Sequence, residues 1–138
     1  MSYERSARLD VAGGHLVARR LKAHGVTKLF TLSSGHLFPI YDGCRAGIDI
    51  VDVRHEQSAA FAVEGWAKVT RQPGVAALTT GPGVTNVSAI ASAPQNHSPI
   101  LVLAGRAPSA TTGSGAREAP DGGDLRYSVA AQLRPETR

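Results

Sequence analysis

Apolar residues recur at helical spacing through Leu9, Ala12, Leu16, Val17 and Leu21, and Gly25 closes the segment, so the chain is expected to open on an amphipathic helix. Lys28-Leu29-Phe30-Thr31-Leu32 is short and mostly apolar, as a buried strand is, with Ser33-Ser34-Gly35 as its turn and a short helix from Leu37 to Arg45. The unit then repeats. Ile50-Val51-Asp52-Val53 predicts a second strand, followed by a helix from about Glu56 to Arg71 and by Pro73-Gly74 as punctuation. Val75-Ala76-Ala77-Leu78-Thr79 predicts a third strand, Gly81-Pro82-Gly83 its turn, and the stretch from about Val84 to Ala93 a helix that Pro94 interrupts. Ile100-Leu101-Val102-Leu103-Ala104 predicts the fourth strand.

Apolar strands alternating with helices predict an α/β fold, a parallel sheet with helices on both faces. Ligands of such sheets sit beyond the carboxyl ends of the strands. The loops after Leu32, Arg54, Thr80 and Ala104 are therefore the expected functional rim. From Gly105 onward the large apolar residues thin to Leu125, Tyr127, Val129 and Leu133. That leaves little to bury, so residues 1–108 are expected to form the domain and 109–138 a loosely ordered tail.

Composition narrows the function classes. The net charge of +4, from 15 Lys and Arg against 11 Asp and Glu, is spread along the chain. With one tryptophan, three tyrosines and three phenylalanines, the chain has neither the basic stripe nor the stacking surface that nucleic-acid binding needs. Cys44 is the single cysteine, which excludes an intrachain disulfide and a cysteine-based zinc site. Met1-Ser2-Tyr3-Glu4-Arg5 has no apolar leader behind it, and no apolar run approaches the roughly 18 residues of a membrane span, so a cytoplasmic protein without membrane contact is expected.

The candidate chemistry lies at the start of the second repeat's helix. At 100° per residue, Gln57, Glu64, Lys68 and Arg71 fall in one polar stripe, roughly 60–120° from Glu56. Glu56 itself lies with Ala60, Val63 and Ala67 on the apolar side. A carboxyl group there is disfavoured as an anion by loss of water, and favoured as one by the helix N-terminus. The sequence leaves the choice between a proton-sharing group and a dipole-stabilised one open.

The string His55-Glu56-Gln57-Ser58-Ala59-Ala60-Phe61-Ala62-Val63-Glu64-Gly65-Trp66-Ala67 resembles the H-E-Q-x-A-A-x-A-x-x-G-[YW]-A segment of thiamine-diphosphate enzymes of the acetolactate synthase type. The resemblance implies an N-terminal pyrimidine-binding domain and gives Glu56 a catalytic and cofactor-binding role. In that family the glutamate hydrogen-bonds the aminopyrimidine ring and favours the tautomer whose nitrogen removes the thiazolium C2 proton. Leu32-Ser33-Ser34-Gly35-His36-Leu37-Phe38-Pro39-Ile40-Tyr41-Asp42 is similar to the family's first loop, with Ser34 where glycine is common. Gly81-Pro82-Gly83-Val84-Thr85-Asn86 is similar to its third loop. Gly35, Gly81, Pro82, Gly83 and Asn86 are thus implied to line the cofactor with Glu56, which meets thiamine diphosphate at its pyrimidine end only.

Relatives bind the diphosphate through magnesium held by a Gly-Asp-Gly motif and a later asparagine, whereas Gly123-Asp124 here is followed by Leu125. No metal ligand is therefore assigned, and magnesium is expected only through a partner domain. The likeness ends near Pro108, and the Arg/Pro/Gly/Ala-rich stretch beyond Gly115 gives the expectation of a truncated chain. The expected function is the cofactor-binding half of an enzyme that decarboxylates and ligates 2-oxo acids, inactive alone. Its expected partners are a second copy of itself or a full-length relative. Two alternatives stand beside it. One is a non-enzymatic regulator of such a relative, using the Ala-rich helix from Ala59 to Val69. The other is a Rossmann-type module built on Gly81-Pro82-Gly83, disfavoured because Asn86 replaces the third glycine and Arg106, rather than an acid, follows the next strand.

Overall fold

A computed structural model describes residues 12–87, 93 and 96–105 of the chain. Its elements are α1 (Gly13–Ala23), β1 (Lys28–Thr31), a tight turn at Gly35–Leu37 running into α2 (Phe38–Cys44), β2 (Asp49–Asp52), α3 (Glu56–Thr70), β3 (Gly74–Leu78), α4 (Pro82–Thr85) and β4 (Ile100–Ala104). The four strands form one parallel sheet in the order β2-β1-β3-β4. Thr31 lies opposite both Asp52 of β2 and Ala77 of β3, and Leu78 opposite Ala104 of β4. The chain steps from β1 outward to β2, then returns across β1 to β3. The strand order therefore reverses between β1 and β3, where open α/β sheets form their ligand crevice.

Both faces of the sheet are covered. Phe30, Ala76, Leu78 and Val102 point to one face and pack on Ala59, Ala60, Val63 and Ala67 of α3. Leu29, Val75 and Ala77 point to the other and meet Ala18 and Leu21 of α1 with Cys44 of α2. Period-2 alternation along the strands has sorted these residues, and the small alanines let α3 lie close to the sheet. Helices α1 and α2 also approach closely. A methyl group added at Gly14 would lie 2.4 Å from the Pro39 carbonyl carbon, and one at Gly43 would lie 2.8 Å from the Ala18 Cβ.

The α/β expectation is met, with three differences of detail. First, β2 is largely exposed, with Ile50 41% accessible, because the strand order puts it at the edge rather than between two neighbours. Second, Glu64 is buried at 6% exposure although its wheel position puts it in the polar stripe. Asn96, which a wheel of α3 alone cannot include, covers it and donates a hydrogen bond at 3.0 Å. Third, the last helix starts at Pro82, whose missing N–H costs nothing in a first turn. Most of the expected helix beyond Val87, with Pro94, lies outside the described residues, as do Leu9, Arg106 and the 109–138 tail. The Ala-rich face of α3 is spent inside the chain's own core, leaving Phe61 and Val69 as its exposed large apolar residues.

Candidate active site

Helix α3 begins where β2 ends, so its first residue, Glu56, stands at the carboxyl rim of the sheet. His55 fixes that start. Its backbone is extended (φ −157°, ψ 145°), and its Nδ1 accepts from the Gln57 N–H at 3.2 Å, satisfying one of the helix's unpaired amides. That bond also sets the ring's tautomer, since an accepting Nδ1 leaves the proton on Nε2.

From the next rim loop, Asn86 reaches Glu56. Its Nδ2 donates to Glu56 Oε2 at 3.0 Å, which holds one carboxylate oxygen in place. Glu56 Oε1 takes no hydrogen bond among the described residues. It lies instead beside Gly83, where an added Cβ would come within 3.4 Å of Oε1 and 2.8 Å of Thr79 Cγ2. A side chain at Gly83 would thus crowd both Thr79 and the open oxygen. Gly81 supplies the turn itself at φ +66°, in the left-handed region that glycine enters without strain.

Two amides just after the turn are already committed. The N–H groups of Val84 and Thr85 both donate to the Gly81 carbonyl, at 3.0 and 3.2 Å. An anion at this helix start would find those two donors already occupied. Thr80, 3% exposed and two residues beyond β3, keeps a buried hydroxyl with no hydrogen-bond partner among the described residues.

The first loop joins the same rim through Ser34. Its Oγ shares a hydrogen bond with Thr79 Oγ1 at 2.8 Å. Beneath it, Thr31 donates to the Ala77 carbonyl at 2.5 Å and, with that proton committed, accepts from the Tyr41 hydroxyl at 2.8 Å. The bond to Ala77 reinforces the β1–β3 pairing, which spans only two residue pairs, and the one to Tyr41 ties α2 to β1. Burial pushes the Tyr41 phenol up.

The structure therefore brings Glu56 and Asn86 into direct contact with Gly83 beside them, and Gly81 and Pro82 are the preceding part of the same turn. Gly35 is not among them. It is exposed, and only the Phe38 ring, at 4.0 Å, comes near the position of a Cβ there. Two contacts have no motif of their own: Ser34–Thr79 at the rim and Glu64–Asn96 away from it, ahead of β4. The serine at a common glycine position was a signal for the first. For the second, only the length of α3 and the return of the chain before β4 were visible.

Among the described residues no group of three or more His, Cys, Asp or Glu is placed to hold a metal ion, and no helix is long and apolar enough to cross a membrane. A groove of about 360 Å³ lies between α1 and α2, lined by His15, Arg19, Lys22 and Asp42 among others, not by residues of the rim.

Comparison with known proteins bears on this rim. Residues 11–125 match the family described as thiamine pyrophosphate enzyme, N-terminal TPP binding domain. The chain is 58% identical over 123 residues to the acetolactate synthase large subunit IlvG of Mycobacterium tuberculosis, a match covering 88% of this chain and 22% of that protein. It is 46% identical over 111 residues to human 2-hydroxyacyl-CoA lyase 2, covering 79% of this chain and 18% of that protein. The chain thus spans about a fifth of the length of the curated relatives it matches.

Proposed function

Because this chain belongs to the thiamine pyrophosphate enzyme family, as an N-terminal TPP binding domain, we propose that its Glu56 rim is the pyrimidine half of a thiamine-diphosphate site in an acetolactate-synthase-like enzyme. The observation that carries this reading is the division of labour at Glu56. Asn86 holds Oε2, while Oε1, beside a glycine, takes no hydrogen bond among the described residues. A carboxylate oriented in that way can accept a hydrogen bond from a heteroaromatic N–H, and Gly83 leaves room for a flat ring to approach.

These residues fit the pyrimidine end of the cofactor. Thiamine diphosphate, when bound, supplies the carbanion-stabilising chemistry of 2-oxo acid decarboxylation and ligation. The chain's part is to orient the ring through Glu56 and to hold or share a proton at its carboxylate, with Asn86, Gly81, Pro82 and Gly83 forming the wall. Gly35 would contribute only from the edge of the first loop. Magnesium and the diphosphate would be met by a second domain outside residues 1–138, on the same protein or on another chain. The higher identity to acetolactate synthase than to the 2-hydroxyacyl-CoA lyases favours 2-oxo acids as substrates.

The test is calorimetry with thiamine diphosphate and magnesium, using the full chain alone and then mixed with a diphosphate-domain partner. Binding in the mixture alone is the expected result. In a reconstituted active complex, Glu56→Gln is expected to slow turnover by about 10²–10⁴, the range for a lost acid–base group. An unchanged rate would remove Glu56 from the chemistry. Co-elution with a relative without any cofactor binding would support a regulatory partner instead.

A further inference from the structure

The rim loops are tied together by side chains that touch neither Glu56 nor Asn86 by hydrogen bond. Ser34 ends the first loop's extended run at φ −150°, ψ 141°, a conformation open to any residue, so the hydroxyl is present without backbone strain. Its Oγ and Thr79 Oγ1 lie 2.8 Å apart in a partly buried setting. Thr79 is the residue on which the next turn closes, for its Cγ2 lies 2.8 Å from the position a Cβ would take at Gly83. Gly83 in turn faces Glu56 Oε1. A continuous chain of contacts therefore runs from the first loop to the carboxylate, crossing the point where strand order reverses.

We propose that Ser34 and Thr79 are a positioning pair, a hydroxyl latch that presets the Gly81-Pro82-Gly83 turn against Glu56 before any ligand arrives. The two residues stand 45 apart in sequence and join separate βα loops. Loops at the rim of a sheet open more readily than the strands that carry them. One hydrogen bond between them at the crevice therefore acts on the turn more than on the sheet. Thr79 contributes in two ways: its hydroxyl meets Ser34, and its methyl supports Gly83. The significance of the turn as a cofactor wall rests on the reading given above; the latch itself does not.

Amide hydrogen exchange in the full chain, without cofactor, tests the latch. The N–H groups of Val84 and Thr85 report on the turn because both are bonded to the Gly81 carbonyl. Asp49 and Arg71, bonded to the carbonyls of Thr27 and Ala67, report on β2 and on the end of α3. Ser34→Ala and Thr79→Val are each expected to speed exchange at Val84 and Thr85 by about three- to tenfold, the effect of losing one hydrogen bond. Asp49 and Arg71 are expected to stay unchanged. The double variant should exchange no faster than either single one, and Ser34→Thr, which keeps a hydroxyl, should restore slow exchange. Unchanged exchange at Val84 and Thr85 would overturn the latch. So would equal acceleration at all four amides, or single effects that multiply in the double variant. If the latch signature appears and thiamine diphosphate binds in no mixture, the latch stands and the cofactor reading falls.

Discussion

At the scale of single residues, the site is a carboxylate whose two oxygens have different neighbours. Asn86 occupies Oε2, and Oε1 lies beside Gly83 with no hydrogen bond among the described residues. Asn86→Ala removes the holder without touching the carboxylate. A hydrogen bond to a charged group contributes about 1.5–3 kcal/mol, more than a neutral one. Part of that is recovered when water replaces the amide at this half-buried site, so thiamine-diphosphate affinity in a complemented site is expected to fall about tenfold. Titration calorimetry would read this, and a loss as large as that of Glu56→Gln would mean that Asn86 meets the cofactor directly. The roles of both residues were suggested by a string of sequence around each, but their contact was not. Thirty positions separate them, and no local periodicity encodes a bond across that distance.

Elements meet here through small residues, and the crossing of α1 and α2 shows it best. Gly14 faces the backbone of Pro39 and Ile40, at 2.4 and 2.5 Å from where its Cβ would be, so alanine there must push the helices apart. Overpacking of this kind costs about 1–3 kcal/mol. Gly14→Ala is expected to lower the urea midpoint accordingly. Gly65, exposed in the middle of α3 with nothing near its Cβ position, is the control. Gly65→Ala should raise stability by about 0.5–1 kcal/mol through helix propensity alone. Equal effects at the two positions would contradict the close crossing. Element order was legible in the sequence because most apolar runs were bounded by glycine or proline, and the strands fall within about one residue of the expected bounds. What was not legible was neighbourhood. The exposure of β2 follows from its edge position, and the burial of Glu64 from a residue of another loop. Both are properties of strand order and of chain return, which helical and strand periods do not carry.

Across the whole molecule, two amide–carboxylate pairs tie α3 to the segment that leads into β4. Asn86 meets Glu56 and Asn96 meets Glu64, so each end of the connecting stretch is fastened to the same helix. Glu64 is the deeper of the two carboxylates, and its acid–base behaviour belongs to the stability of the fold rather than to the rim. The Lys68 ammonium, 2.8 Å away, holds its carboxyl below the ordinary value of 4.5; the Asn96 amide adds to this and burial opposes it. A carboxyl whose folded value is depressed binds protons less readily in the folded chain than in the unfolded one. Its contribution is therefore complete above about pH 4.5 and is lost as the pH falls through the lowered folded value. The melting temperature of the chain should accordingly fall with acidification below pH 4.5, with part of that fall belonging to Glu64. In Glu64→Gln the side chain still accepts from Asn96 but cannot titrate, so the variant should start less stable at neutral pH and show a shallower decline in acid. Thermal melts of both proteins from pH 7 downward would compare the two slopes. Parallel curves would mean that Glu64 titrates alike in the folded and unfolded chains, and that Asn96, rather than the charge beside it, is what keeps the carboxyl buried.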